Sequence, residues 1–133
     1  MPYLSVKLCP PPAPEAAEQL ALALTKLTAG ILNKKPKLTS VTVEHIPSSL
    51  WFIGGKPLAL QSTATLYLDI KVTEGTNTKD EKAAYIKAVF SMAESLLGRL
   101  HPTSYIVVHE VRADAWGYGG ATQEFRYIAG KAL

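Results

Sequence analysis

The sequence predicts an α+β fold in which two tandem βαβ units form a four-stranded mixed sheet with two helices on one face. An internal repeat supports this fold, because the segment 51–55 (WFIGG) returns as 116–120 (WGYGG), 65 residues later. A strand-like segment at 3–8 is echoed at 67–72 with a spacing of 64. Each half places a helical hydrophobic stripe between two such segments. Since βαβ crossovers are right-handed, both helices are expected on the same face of the sheet.

The first unit is expected to run strand, helix, strand, with its strands at 3–8 and 39–46. Pro14-Glu15 marks the start of the helix, because proline is accepted in the first helical turn. The buried stripe of this helix is predicted from residues with helical spacing. These are Leu20, Leu24, Leu27 and Ile31.

The second unit repeats this order, with strands at 64–73 and 105–111. Thr78 and Glu81 have the spacing of a capping box at the start of its helix, and Gly98 suits the end. The paired glycines after each tryptophan predict a turn or short hairpin. The buried stripe of this second helix is predicted to contain Tyr85, Val89, Met92 and Leu96.

Length and composition favour one globular domain over the whole chain, 1–133. The first unit is expected at about 2–60 and the second at about 61–133. Because Cys9 is the only cysteine and the histidines are scattered, neither a disulfide nor a metal site is expected. No signal peptide or membrane-length apolar run is present, so we expect a cytoplasmic protein without a membrane partner.

The charge pattern limits the classes of partner. A net charge of +3 permits small anionic ligands but does not indicate nucleic acid. The clearest basic cluster, Lys34-Lys35-Pro36-Lys37, is typical of a solvated loop.

His109 and Glu110 are adjacent on a predicted strand, so they face opposite sides and cannot form a joint acid–base pair.

Met1-Pro2, directly before the first strand, supplies the candidate catalytic group. Removal of the initiator methionine, which a small second residue favours, would leave Pro2 with a free secondary amine. Burial beside another cation lowers the pKa of an amine, and a base near the working pH suits proton abstraction. The simpler interpretation is that Pro2 only permits methionine removal and begins a strand.

These segments resemble the tautomerase superfamily, whose members are built from βαβ units and carry proline as the mature N-terminus. The segments 38–43 and 51–55 are similar to a strand and turn of 4-oxalocrotonate tautomerase. The likeness to the macrophage migration inhibitory factor branch runs from Pro2 through Lys35-Pro36 to Tyr105 and beyond. The resemblance implies a keto–enol tautomerase of 2-keto acids that needs no cofactor and assembles as a homotrimer.

The resemblance also implies roles for individual residues. Pro2 becomes the base and then the acid, and Lys35 becomes the cation that holds a substrate carboxylate. Tyr105 would reach the site of a neighbouring subunit, and Ile70 falls on an apolar pocket position. For Lys35 a solvated loop lysine, and for Tyr105 core packing, are the alternatives.

Further candidates could line or complete this pocket. Trp51, Trp116 and Tyr118 would form an apolar wall, although packing at a subunit contact is the alternative. Arg112, and after it Arg126, could replace carboxylate-binding arginines that other members carry.

The chain departs from the family pattern at several positions. An asparagine that binds substrate in the migration inhibitory factor branch is replaced by Val107. One arginine of 4-oxalocrotonate tautomerase falls near Pro12 or on Thr76, and another falls on Thr42 or Val107. The second unit begins at Leu66 rather than proline, so only one catalytic amine is expected per chain.

Three other functions remain open. A protonated Pro2 would suit a hydratase, dehalogenase or decarboxylase, against which the missing arginines argue. A trimeric binding or signalling protein would carry Pro2 as a vestige. An RNA-binding domain with the same order of elements would need a basic and aromatic strand motif, which the sequence lacks.

Overall fold

The computed structural model describes residues 2–130, in which each of two βαβ units is followed by a short hairpin. Met1, whose removal the sequence predicts, lies outside the described residues. The elements in chain order are β1 (Tyr3–Cys9), α1 (Pro14–Leu32), β2 (Ser40–His45), β3 (Phe52–Ile53), β4 (Lys56–Pro57), β5 (Thr65–Thr73), α2 (Lys79–Leu97), β6 (Tyr105–Val111), β7 (Gly117–Tyr118), β8 (Ala121–Thr122) and α3 (Gln123–Ala129).

The main sheet has four strands in the order β2-β1-β5-β6, which confirms the predicted mixed sheet. Each unit contributes a parallel pair, and β1 and β5 join the units in antiparallel fashion. Tyr3 lies opposite Ser40 on one side and Lys71 on the other. The start of β1 therefore lies at the same end of the sheet as the end of β5.

The hydrophobic core lies between this sheet and the helices. Alternate residues of β1 and β5 point into it, as period-two patterns require. The predicted helix stripes are confirmed at their buried centres, whereas Leu27, Ile31, Met92 and Leu96 pack as half-buried flanks. The core residues include Leu4, Val6, Leu8, Leu20, Leu24, Leu32, Leu66, Leu68, Ile70, Val72, Tyr85, Val89 and Ala93.

Local signals account for the ends of the helices. The capping box of α2 is present, with Thr78 and Glu81 each bonding the other's backbone N–H. Gly98 ends α2 at φ 87°, a conformation that glycine adopts without strain. Asn33 ends α1 in the left-handed region at φ 58°. The chain therefore reverses sharply after α1, which aims the following loop at the start of β1.

Both predicted Gly-Gly turns close hairpins. The pair after Trp51 has φ values of 62° and 77°, and the pair after Trp116 has 61° and 81°. Helix α3 was not predicted, because seven residues are too few to show helical periodicity. The Thr122 hydroxyl caps α3 by accepting from the Phe125 N–H at 3.0 Å.

The face of the sheet opposite the helices is open in the single chain. It carries half-exposed polar and aromatic side chains, of which Tyr3, Tyr67 and Tyr105 are 38%, 40% and 60% exposed. None of the helices within residues 2–130 has the length and apolar character that crossing a membrane requires.

Candidate active site

Pro2 is buried at the start of β1, between β2 and β5. Its carbonyl accepts a hydrogen bond from the Ser40 N–H at 3.2 Å, which fixes the residue against β2. On the other side, β5 continues for two residues beyond Lys71, the partner of Tyr3. Val72 and Thr73 therefore flank Pro2 at the edge of the core.

Lys35 lies on the loop that joins α1 to β2, next to the strand of Pro2. Its carbonyl accepts hydrogen bonds from the Leu38 N–H at 3.1 Å and the Thr39 hydroxyl at 2.9 Å. The side chain is exposed and lines an open cavity of about 530 Å³ with Pro36, Lys37 and Leu38. The structure therefore places this cation at the Pro2 end of the sheet, where a small anion can reach it.

Lys34 is half-buried, whereas the sequence pattern suggested a solvated loop. Its ammonium donates to the Thr76 hydroxyl at 2.8 Å, and that hydroxyl donates to the Thr73 carbonyl at 2.6 Å. Burial lowers the pKa of Lys34, and the nearby Glu81 carboxylate opposes this effect. A second cation therefore lies at the Pro2 end of the sheet. No sequence signal distinguished it from its neighbours.

Glu81 joins the end of α1 to the start of α2. Its carboxylate accepts from the Thr78 N–H at 2.8 Å, from Asn77 at 3.2 Å and from Asn33 at 3.2 Å. The hydrogen bonds from Thr78 and Asn77 lower the pKa of Glu81, with the Thr78 N–H as the largest cause. Asn77 also donates to the Leu32 carbonyl at 2.9 Å. The loop that carries both lysines is thereby tied to α2.

Trp116 also lies at the Pro2 end. Its indole N–H donates to the Thr73 hydroxyl at 3.2 Å, so the ring covers the last residue of β5. The neighbouring Tyr118 packs against Arg126, whose guanidinium lies 3.6 Å from the ring centroid. Arg126 also donates to the Tyr118 carbonyl at 3.1 and 3.0 Å. Arg126 therefore anchors the β7–β8 hairpin to α3, a structural role that accounts for its guanidinium.

Arg112 follows β6 at the same end of the sheet, two strands away from Pro2. Its side chain is 74% exposed and forms an ion pair with Asp114 at 3.3 Å. The structure thus places Arg112 at the Pro2 end of the sheet, with Asp114 balancing its charge.

Ile70, for which the resemblance implied an apolar pocket position, lies in the core of the single chain. Its side chain is 0% exposed within the core cluster, opposite Leu4 of β1. Because alternate residues of β5 face the helices, Ile70 points away from the open face. Its buried side chain supports the strand beside Pro2, and its role as an apolar pocket residue stays a prediction.

Tyr105 and Trp51 lie at the other end of the sheet. Tyr105 is opposite Tyr67, which is opposite Lys7. From Tyr67 to Val72 the strand advances about 17 Å at roughly 3.3 Å per residue. Within one chain, neither side chain meets Pro2. Trp51 instead lines a cavity of about 420 Å³ with Lys7, Ile46, Leu50, Phe52 and Tyr67.

The open face carries an ionic cluster around Asp69. This carboxylate lies 3.1 Å from the Lys71 ammonium and 3.7 Å from His109. Glu110 pairs with Lys82 of α2 at 3.2 Å. His109 and Glu110 therefore face opposite sides, as the strand pattern predicted. Within residues 2–130, no group of three or more His, Cys, Asp or Glu side chains is arranged to hold a metal ion.

A model of a protein family, described as "Tautomerase enzyme", matches the chain twice, at residues 2–61 and 67–126. Each match covers one βαβ unit with its hairpin, so the duplication seen in the sequence and in the sheet corresponds to two copies of the family unit. None of the curated proteins matches the chain by sequence.

Solved structures share the fold at low sequence identity. A wild-type fused 4-OT described as an asymmetric trimer superimposes with a TM-score of 0.83 at 20% identity, covering 94% of this chain and 98% of its own. Pt0534 inactivated by 2-oxo-3-pentynoate gives 0.80 at 15% identity, covering 92% and 98%. A macrophage migration inhibitory factor-like protein from Entamoeba histolytica gives 0.75 at 20% identity, covering 91% and 97%.

Proposed function

The chain belongs to the tautomerase family, and from this premise we propose that it is a cofactor-independent keto–enol tautomerase of 2-keto acids. The observation that carries the proposal is the placement of Pro2, which is buried at the start of β1 beside a loop with two lysines. In this proposal, the methionine is removed and the Pro2 amine is the base and then the acid.

The reaction needs one group that moves a proton and others that hold charge. In the direction from keto to enol, the neutral Pro2 amine takes a proton from C3, and the electron pair of that bond forms the C2–C3 double bond. The carbonyl π electrons move to oxygen, which then receives the proton from the Pro2 ammonium. A nearby cation favours the neutral amine, and donors placed at the developing oxyanion lower the barrier.

The proposed substrate-binding residues come from two copies of the chain. Lys35 holds the carboxylate with Arg112 as a further cation, while Trp116 and Tyr118 form the apolar wall at the Pro2 end. Tyr105 donates to the enolate oxygen from a neighbouring copy, and Trp51 likewise belongs to a neighbour's wall.

A homotrimer is the proposed assembly for two reasons. Within one chain Tyr105 and Pro2 lie at opposite ends of the sheet, so a Tyr105 that serves the reaction has to come from another copy. The open sheet face, with Tyr3, Tyr67 and Tyr105 partly exposed, also needs a cover that its own helices do not provide. Fused 4-OT proteins with the same fold are described as trimers.

The proposal is tested by following the conversion of phenylenolpyruvate to its keto form by absorbance. Pro2→Ala is expected to lower kcat/KM by about 100-fold or more. The control is Pro102→Ala, an exposed proline at the opposite end of the sheet from Pro2, which is expected to leave the rate unchanged. Intact mass shows whether Met1 is absent, and a fraction that retains it is expected to be inactive because its Pro2 nitrogen is an amide. Equal rates for the wild type and Pro2→Ala would contradict the proposal.

A second readout does not depend on turnover. 2-Oxo-3-pentynoate is an electrophilic 2-keto acid, and a neutral proline amine adds to its triple bond. Incubation is expected to add one inhibitor mass to the N-terminal peptide of the mature protein and none to that of Pro2→Ala. Labelling elsewhere, or equal labelling of both proteins, would argue against a reactive Pro2.

A further inference from the structure

We propose that Lys34 is a substrate-binding residue of the Pro2 site, whose ammonium donates hydrogen bonds to the carboxylate of the bound 2-keto acid. This inference rests on the proposed function and adds a cation to it. Lys34 and Lys35 are consecutive, yet their surroundings differ: Lys35 is exposed beside Pro36, and Lys34 is half-buried against Thr76.

The position of Lys34 follows from topology. β1 lies between β2 and β5 in the sheet. Lys34 belongs to the loop that enters β2, and Thr76 belongs to the loop that leaves β5. The hydrogen bond between them, 2.8 Å long, therefore joins the loops on both sides of Pro2. An ammonium at this bridge lies at the end of the sheet where the strand of the proposed base begins.

The hydrogen-bond directions leave Lys34 able to bind an anion. The Thr76 hydroxyl gives its proton to the Thr73 carbonyl, so it can only accept from Lys34. An ammonium has three N–H donors. Within residues 2–130, Thr76 is its sole hydrogen-bond acceptor, which leaves two N–H groups for a ligand.

No protein carboxylate neutralises this ammonium at ion-pair distance among the described residues. Glu81 is the nearby acid, and its oxygens already accept from Thr78, Asn77 and Asn33. The lowered pKa of Lys34 reflects a charge that burial has partly desolvated. A half-buried cation with no carboxylate at ion-pair distance binds a carboxylate ligand more favourably than a fully solvated cation does.

The surrounding contacts hold Lys34 in place before a ligand binds. The Lys34 N–H donates to the Thr28 carbonyl at 3.4 Å at the end of α1, and Asn33 is held by Glu81. On the far side, Thr73 receives the Trp116 indole N–H. Through Thr76, Lys34 is linked to Thr73, the residue that Trp116 contacts at the end of β5.

The test compares a charged and an uncharged substrate of the same skeleton. Lys34→Met is expected to lower kcat/KM for phenylenolpyruvate by about 10- to 100-fold, through KM, the range of a hydrogen bond to a charged group. For the enol of its methyl ester, which has no carboxylate, the same variant is expected to change kcat/KM less than about 3-fold. Lys34→Arg, which keeps the charge, is expected to restore most of the activity on the acid.

Matched variants separate binding from structure. Lys26→Met removes an exposed lysine of α1. It is expected to leave kcat/KM unchanged for both substrates. Thr76→Val keeps the ammonium and removes its anchor, so a smaller loss on the acid alone is expected. Equal losses of Lys34→Met on acid and ester, or no loss on either, would overturn the inference while the tautomerase proposal stands.

A binding experiment covers the case in which the wild type turns over neither substrate. Calorimetry with 3-phenylpropanoate, an inert carboxylate, is expected to show binding by the wild type and by Lys26→Met. For Lys34→Met the affinity is expected to fall about 10-fold or more. Equal affinity of the two lysine variants, or no binding by the wild type, would overturn the role of Lys34 independently of any catalytic result.

Discussion

The hydroxyl oxygens of Thr28 in α1 and Tyr85 in α2 lie 2.8 Å apart, and both residues are 0% exposed. The Thr28 hydroxyl also donates to the Leu24 carbonyl at 2.7 Å. Since it has one proton, Tyr85 must be the donor between the two helices. Burial raises the pKa of Tyr85 to about 12.

The direction of this hydrogen bond predicts unequal costs for its two partners. Thr28→Val leaves the Tyr85 hydroxyl buried without an acceptor, which is expected to lower the free energy of unfolding by about 1–3 kcal/mol. Tyr85→Phe leaves Thr28 bonded to Leu24, so a loss of about 1 kcal/mol or less is expected. Urea unfolding measures both values, and a larger cost for Tyr85→Phe would contradict the assigned direction.

The raised pKa of Tyr85 predicts a loss of stability in alkaline solution. Its folded-state pKa exceeds the ordinary value of 10.0, so the folded state favours the protonated phenol. The stabilisation is complete below pH 10 and is lost as the pH rises towards 12. Between pH 8 and pH 11, the wild type is expected to lose about 1 kcal/mol more than Tyr85→Phe in urea unfolding. Identical losses in the two proteins would refute this assignment.

Two glycines are predicted to respond in opposite ways to alanine. Gly30 lies within α1 with open space at its Cβ position, so Gly30→Ala is expected to stabilise the protein by about 0.5–1 kcal/mol. At Gly117, an added Cβ overlaps the Ala121 carbonyl across the β7–β8 hairpin. Gly117→Ala is therefore expected to destabilise the hairpin and disturb Trp116. Thermal unfolding measures the first effect, and tryptophan fluorescence reports the second.

A site shared between copies predicts complementation. Pro2→Ala and Tyr105→Phe are each expected to lose about 100-fold in activity on phenylenolpyruvate. After unfolding and refolding together at equal concentrations, random trimers combine an intact Pro2 with a neighbour's intact Tyr105 in about a quarter of the sites. The mixture is therefore expected to regain about a quarter of the wild-type activity.

The control for this experiment mixes the two variants after each has refolded alone, which is expected to restore nothing. Native mass spectrometry with one mass-labelled variant verifies that mixed oligomers have formed. Mixed oligomers without restored activity would show that Tyr105 does not complete the site of another copy.

Much of the fold was predictable because its signals are local. The capping box joins Thr78 and Glu81, which are three residues apart, and the Gly-Gly pairs favour turns by their own conformations. Because the sequence is duplicated, an element predicted in one unit supported the equivalent element in the other. The short helix α3 escaped prediction, since its cap at Thr122 is not followed by enough residues to show a period.

The candidate site was less predictable because it depends on contacts between distant segments. Lys34 and Lys35 are indistinguishable as sequence, yet one meets Thr76, 42 residues away, and the other faces solvent. Ile70 shows the same limit. Alternation along β5 identifies which residues lie on the same face of the strand as Ile70. Whether that face is buried depends on the helices that pack against it.

By itself, the sequence determined the duplicated βαβ architecture, the caps, the hairpin turns and the position of Pro2 at the head of the first strand. These features depend on residues within a few positions of one another or on the repeat. Only the tertiary structure decided that Lys34 reaches the Pro2 end and that Tyr105 lies at the opposite end. The antiparallel register of β1 and β5 sets both placements, because it aligns the start of one unit with the end of the other unit's first strand.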